Sequence, residues 1–174
     1  PNWRSIGLSE EDEKEHQKEL HRFIRLVEAR FEEYAESPEL IDAEETRTLL
    51  QIVREDVAQD VMVGESLAAV EWNPGRKIST SIKQIDPARL CNPNDEEDTD
   101  RLRAGVEKNR RGAPTHYHIR HRHQNDIGFD SVGKWKRIAK TLPWGRPQVI
   151  HIFSPEDADQ TRGVHKFAAC LKEL

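Results

Sequence analysis

An α+β fold, with amphipathic helices first, antiparallel β-hairpins or a meander next and a further helix last, is predicted by three observations. Apolar residues in the first third recur at three- and four-residue steps, the spacing of a helix that buries one stripe. From Ser66 the spacing shifts to the two-residue period of strands, interrupted by Pro, Gly and Asn turns. The helical and strand-like patterns are segregated along the chain instead of alternating, which favours α+β over a doubly wound sheet.

The first helix opens at Ser9, an N-cap followed by Glu10, Glu11 and Asp12 in the turn where the helix dipole favours acids. Leu20, Phe23, Ile24, Val27, Phe31 and Tyr34 then share one face, and Pro38 sets the end after about seven turns. Asp42 and Glu45 form a D-x-x-E capping pattern for a second helix, with Leu50, Val53, Val57 and Val61 as its expected buried stripe up to Gly64. The two helices would pack as a hairpin.

Ser66 to Trp72 and Ile78 to Ile85 read as strands of a hairpin turning through Asn73-Pro74-Gly75-Arg76, and Asp86-Pro87 stops the second one. Asn92 to Asp100 holds no apolar residue and reads as an exposed loop. A second hairpin runs from Gly105–Lys108 through Asn109-Arg110-Arg111-Gly112 into Thr115–Arg122. After a loop to about Val132, Lys134–Thr141 alternates as a strand, and Val149–Phe153 is an apolar run suited to a buried one. Ser154-Pro155-Glu156-Asp157 supplies N-cap, Pro at the first helical position and acids, with Val164, Phe167, Ala168 and Leu171 marking the helix that would follow. The chain thus divides into a helical segment 1–64, an antiparallel β segment 65–154 with long polar loops, and 155–174 as the start of a following helix. One domain cut from a longer polypeptide is expected.

The 174 residues are 35% hydrophobic and 34% charged, with mean hydropathy −0.85, polar for a self-contained globule. A small core, or an element of a larger assembly, is implied. No apolar run approaches the roughly 20 residues that span a bilayer. Cys91 and Cys170 lie far apart with no partner at metal-ligand spacing, which speaks against a disulfide framework and a zinc module and for a reducing compartment. The net charge of −5 conceals an asymmetry: residues 1–60 carry −9, 61–100 carry −4, 101–140 carry +8 and 141–174 are neutral. The basic segment is expected to meet acidic helices of its own or a neighbouring subunit, with direct nucleic-acid contact as the rival.

Three groups are candidates for chemistry. His116 and His118 share one face of a strand and could form a two-histidine edge site, but His121 and His123 fall on the other, so a His- and Arg-rich contact surface is the better reading. Asp95, Glu96, Glu97, Asp98 and Asp100 lack the glycine and twelfth-position acid of a calcium loop and read as solvated. Trp135 and Trp144 among Lys134, Lys136, Arg137, Lys140 and Arg146 have the aromatic-plus-basic mixture of single-strand binders, but structural packing is the better reading of them. No phosphate-binding glycine loop, nucleophile elbow or zinc-protease helix is present, so no catalytic, cofactor or metal residue is assigned.

The series Pro143-Trp144-Gly145-Arg146-Pro147, Val149-Ile150-His151-Ile152-Phe153 and Gln160-Thr161-Arg162-Gly163-Val164 resembles the portal proteins of lambda-type tailed bacteriophages. Upstream the likeness runs through Gly105-Val106-Glu107, Arg111-Gly112-Ala113-Pro114, Tyr117-His118-Ile119-Arg120, Ile85-Asp86-Pro87 with Arg89-Leu90, and Gly64-Glu65-Ser66-Leu67 to Trp72, covering about residues 30–174. His165-Lys166-Phe167 departs from the family's small or apolar lead into the next helix. The resemblance implies a non-enzymatic subunit of a dodecameric ring at one capsid vertex, without cofactor or membrane. DNA would pass through that ring without sequence specificity during packaging and ejection, and terminase, capsid, scaffold and head-completion proteins would be its partners. It also implies residence in the virion after assembly in the host cytoplasm, from a free phage or a prophage, with this chain as the N-terminal wing. Asp86, Pro87, Trp144, Gly145, Arg146, Pro147, His151, Phe153, Gln160, Arg162 and Gly163 then take architectural roles. Gly163 would let the chain turn into the last helix, and Arg162 would lock the preceding loop onto a carboxylate or backbone carbonyls. The rival function is a small DNA-binding or metal-dependent nuclease-like module built on residues 101–140.

Overall fold

The computed structural model describes residues 10–121 and 134–167. Its elements in order are α1 (Glu10–Glu36), α2 (Pro38–Ile41), α3 (Leu49–Met62), β1 (Glu65–Trp72), β2 (Thr80–Ile85), β3 (Leu102–Arg103), β4 (Val106–Lys108), β5 (Pro114–Arg120), β6 (Trp135–Ala139) and β7 (Val149–Phe153). The class is α+β.

The two long helices fall in the expected segment 1–64 but face differently, α3 starts later than a cap at Asp42 predicts, and the expected cap Ser9 of α1 lies outside the described residues. From Glu11 to Glu33 every side chain of α1 except Glu13 is exposed, including the stripe from Leu20 to Phe31. Among the described residues its last turn reaches the body: the Tyr34 hydroxyl donates to the Thr80 carbonyl at 2.9 Å, and Lys77 pairs with Glu33. Pro38 does end α1, and with Ser37 as N-cap it opens α2, whose Ile41 is fully buried. The capping box of α3 is Thr48 with Gln51, and Asp42 serves another purpose. Asp42 is fully buried and accepts from the amides of Glu44, Thr46 and Arg47 and from the Thr46 hydroxyl, so it organises the α2–α3 loop. Burial would raise its carboxyl, yet these donors hold it below the usual range. The expected α3 stripe is also corrected: Leu50, Val53, Val57 and Val61 are exposed, and Ile52 is the residue buried.

The strands divide between two antiparallel sheets instead of running as one meander. The first has the order β2-β1-β7, the second β3-β4-β5-β6. The β1–β2 hairpin pairs Leu67 with Ile85 and Trp72 with Thr80. On its other edge β1 pairs with β7, Glu65 opposite Phe153 and Leu67 opposite His151. One core joins the sheets, built from Leu67, Ala69, Ile85 and Val149 on one side, Val106, Tyr117 and Ile119 on the other, and Leu90 between them. β1 is buried on both faces because α3 lies against it, which explains small Ser66 and Ala68 between the core positions.

The helix expected from Ser154 is absent over residues 155–167, which run as turns and bends. The Gln160 side-chain oxygen takes the Glu156 and Asp157 amides at 2.6 and 3.1 Å, and Asp159 sits at φ 63°. These amides are the donors that an N-cap would have satisfied, and Gln160 satisfies them without a helix. Ala168, Cys170 and Leu171 fall outside the described residues, as do His123 and the expected 122–132 loop.

Candidate functional site

Glu65 opens β1 on the face that looks toward the second sheet, two residues before the core residue Leu67, and is 2% exposed. A carboxylate there must be paired. Arg162 donates to it through Nε at 2.7 Å and also through Nη2; His151 Nε2 donates at 2.9 Å, and the Gly163 amide at 2.9 Å. Burial alone would raise this carboxyl, but the His151 and Arg162 hydrogen bonds and the Arg162 charge lower it to about 2. Arg162 spends its remaining donors on the carbonyls of Leu90 at 2.5 Å, Ala104 at 3.1 Å and Pro87 at 2.8 Å. One guanidinium thus joins β1, the turn after β2 and the β3–β4 turn. His151 stands edge-on to Tyr117 at 5.7 Å and beside Phe153 at 4.9 Å, so both rings position its nitrogen over Glu65.

Gly163 passes so close to Gly64 that a Cβ on it would stand 2.0 Å from the Gly64 carbonyl oxygen; a Cβ on Gly64, at φ +91°, would stand 2.3 Å from the Val164 backbone. Close backbone crossing sets the requirement here, in place of the expected turn into a helix.

The sequence-derived residues fall into two groups. Pro87, His151, Phe153, Gln160, Arg162 and Gly163 gather around Glu65, with Gln160 Nε2 donating to the Arg162 carbonyl at 2.7 Å. Asp86 caps the short turn Pro87–Arg89 by accepting from the Ala88 amide at 2.8 Å. Trp144, Gly145, Arg146 and Pro147 lie apart, at the far end of β1. There Arg146 donates to the Glu71 carbonyl at 3.2 Å and lies 5.1 Å over the Trp72 ring, while Trp144 is exposed. Glu65 itself was not singled out, although an acid opening an apolar strand is the available signal.

His116 and His118 do share a face, and what they meet is Glu107 of β4. His118 Nε2 donates to Glu107 at 2.6 Å, and Arg137 of β6 donates to both its oxygens at 2.6 and 2.7 Å and to His116 Nδ1 at 3.0 Å. The Arg137 bonds outweigh partial burial and hold Glu107 at about 2. A three-strand polar ladder results, and His121 takes no part in it. In the acidic loop, Asp98 accepts from the Asn92 side chain and the Ala104 amide, both at 2.8 Å, and so shapes the chain. Among the described residues no three His, Cys, Asp or Glu side chains are grouped to hold a metal. Trp135 donates to Cys91 Sγ at 3.2 Å and carries Arg120 over its ring.

One of several surface cavities is a groove of about 450 Å³ between the sheets. Lys83, Arg89, Arg120, Lys136 and Arg146 line it with a single acid, Glu71, and with apolar residues that include Ile138 and Leu142. Arg89 is committed to the carbonyls of Arg120 and His121. Lys83 and Lys136 make no ion pair among the described residues.

The sequence of this fold matches known proteins along its whole length. It is 36% identical over 179 aligned residues to the portal protein of Escherichia phage N15, and 34% identical to portal protein B of Escherichia phage lambda, covering all of this chain in each case. It covers 32% and 31% of those proteins, so the chain spans about a third of the length of the curated relatives it matches. The family model of the lambda family of phage portal proteins matches residues 1–174, and this chain belongs to that family.

Proposed function

We propose that this chain is the wing portion of a subunit that assembles into the ring at the portal vertex of a phage capsid. The ring is the conduit for packaging and ejecting the genome and the place where terminase and head-completion proteins attach, first in the host cytoplasm and then in the virion. The match to the portal family over the whole chain carries this reading. The polar centre supports it: the donors and acceptors around Glu65 are spent on one another and on backbone carbonyls, a structural use rather than one poised for substrate. The uncovered apolar faces of α1 and α3 also suit a protein that is completed by assembly.

Native mass spectrometry of the protein in its full length tests the proposal. Rings, dodecamers above all, are expected, and Arg162→Ala is expected to lower their yield; a protein that stays monomeric at high concentration would contradict the ring reading. Unchanged ring yield in a folded Arg162→Ala variant would remove the hub from assembly while leaving the ring. The rival, a DNA-binding or nuclease-like module on residues 101–140, predicts duplex binding by the chain whose log–log salt slope steepens by about 0.9 for each phosphate neutralised.

A further inference from the structure

The arm α1 and the basic groove are two unsatisfied surfaces on one chain, and their chemistries fit. α1 carries ten acidic and five basic residues. Glu13 lies seven residues before Leu20, on the line of the apolar stripe; Glu19 and Glu28 flank it, four residues before Phe23 and four after Ile24. The stripe is therefore apolar along its centre and bordered by the acids Glu19 and Glu28, with Glu13 at its N-terminal end; the one base on its border, Arg30, is paired with Glu33. The groove is the converse: Ile138 and Leu142 line it together with Lys83 and Lys136, cations without an ion pair among the described residues. The apolar face of α3 is the other surface on which the stripe could settle, but α3 has three acids to one base, so like charges would meet.

Among the described residues the same chain does not supply the match. No Gly or Pro interrupts Glu10–Glu36, so the helix has no hinge at which to turn back on its own body. Its exposed length, roughly 35 Å at 1.5 Å per residue, points away from the last turn where Tyr34 is fixed. Resting on the ring reading above, we infer that α1 of one copy docks in the Lys83–Lys136 groove of the next. The two surfaces differ, so the contact is head-to-tail and each copy both gives and receives an arm. Contacts of that kind close into rings when the rotation between copies divides a full turn.

Charge exchange tests this. Sedimentation velocity of the chain, from micromolar to millimolar concentration, is expected to show salt-sensitive self-association. The groove variant Lys83→Glu/Lys136→Glu and the arm variant Glu13→Lys/Glu19→Lys are each expected to weaken it about tenfold or more. An equimolar mixture of the two, each with the thermal midpoint of the parent chain, is expected to recover association, since the unchanged arm of the groove variant meets the unchanged groove of the arm variant; a single chain carrying all four reversals is expected to self-associate as well, since its reversed arm meets a reversed groove. Failure of the mixture to associate, or a parent chain that is monomeric throughout, overturns the inference. So does a groove variant that associates normally but no longer retains duplex DNA, which would make the groove a polyanion site. In the full-length protein, rings that persist with a charge-reversed groove would refute the docking and leave the portal reading intact. Absence of rings in the unmodified protein would refute the portal reading instead.

Discussion

Replacing Glu65 by Gln leaves the Arg162 guanidinium and His151 facing a neutral amide in a nearly dry site, and breaking a buried pair from one side costs about 3–5 kcal/mol. For a chain of this size that corresponds to a fall in Tm of roughly 10 °C. The effect depends on pH with a definite sign. The Glu65 carboxyl is lowered from 4.5 to about 2 in the fold, so its contribution, about 3 kcal/mol, is complete above pH about 4.5 and is lost as pH falls toward 2. The gap in Tm between parent and Glu65→Gln should therefore narrow in acid; a gap that is constant down to about pH 3 would contradict the assignment. Gly163 and Gly145 make a second pair for measurement. At Gly163 an added Cβ meets backbone at 2.0 Å, whereas Gly145, at φ +91°, has nothing within 4 Å. Gly145→Ala should cost about 1–2 kcal/mol from the left-handed backbone alone, and Gly163→Ala about 3 kcal/mol or more, read by urea denaturation. Legibility at this scale was uneven. The family resemblance marks Arg162 as a lock, but its acceptors on Leu90 and Ala104 are carbonyls, which every residue carries. Asp42 matched a capping pattern because any acid three residues before another does so; its actual partners are amides fixed by the turn.

On α3 the misplaced stripe has a direct test. Ile52→Ala should cost about 2–4 kcal/mol, and Leu50→Ala, at a side chain 60% exposed, about 0.5 kcal/mol or less; equal costs would restore the original assignment of faces. Thr48→Ala should remove about 1 kcal/mol by opening the capping box, and Asp42→Ala should act through the loop instead. Periodicity identifies residues that share a face but not the neighbour that face meets. α3 is apolar on two sides, and only β1, with its run buried on both faces, decides that Ile52 goes inward. α1 shows the complementary case: its apolar stripe and its end before Pro38 are plain in the sequence, and among the described residues the stripe from Leu20 to Phe31 stays exposed. Hairpins were the most legible elements, since Asn73–Arg76 and Asn109–Gly112 are local turn chemistry.

Across the whole molecule, the two sheets share one core and one arginine hub, so they should open together. Amides of Leu67 in β1 and Tyr117 in β5 are expected to exchange with the same free energy, while those between Leu20 and Glu28 of α1 exchange orders of magnitude faster. Different protection of Leu67 and Tyr117 would divide the fold into separate units. The division of strands was not legible because it rests on β7 leaving its sequence neighbour β6 to pair with β1, and an apolar run such as Val149–Phe153 fits either sheet. That pairing has a consequence during synthesis. At about 5–20 residues per second, the ribosome needs roughly 4–16 s to travel from Trp72 to Phe153, and for that time β1 has β2 on one side and a bare ladder edge on the other. Nascent chains stalled before Val149 are accordingly the form of this protein most exposed to aggregation and to chaperone capture.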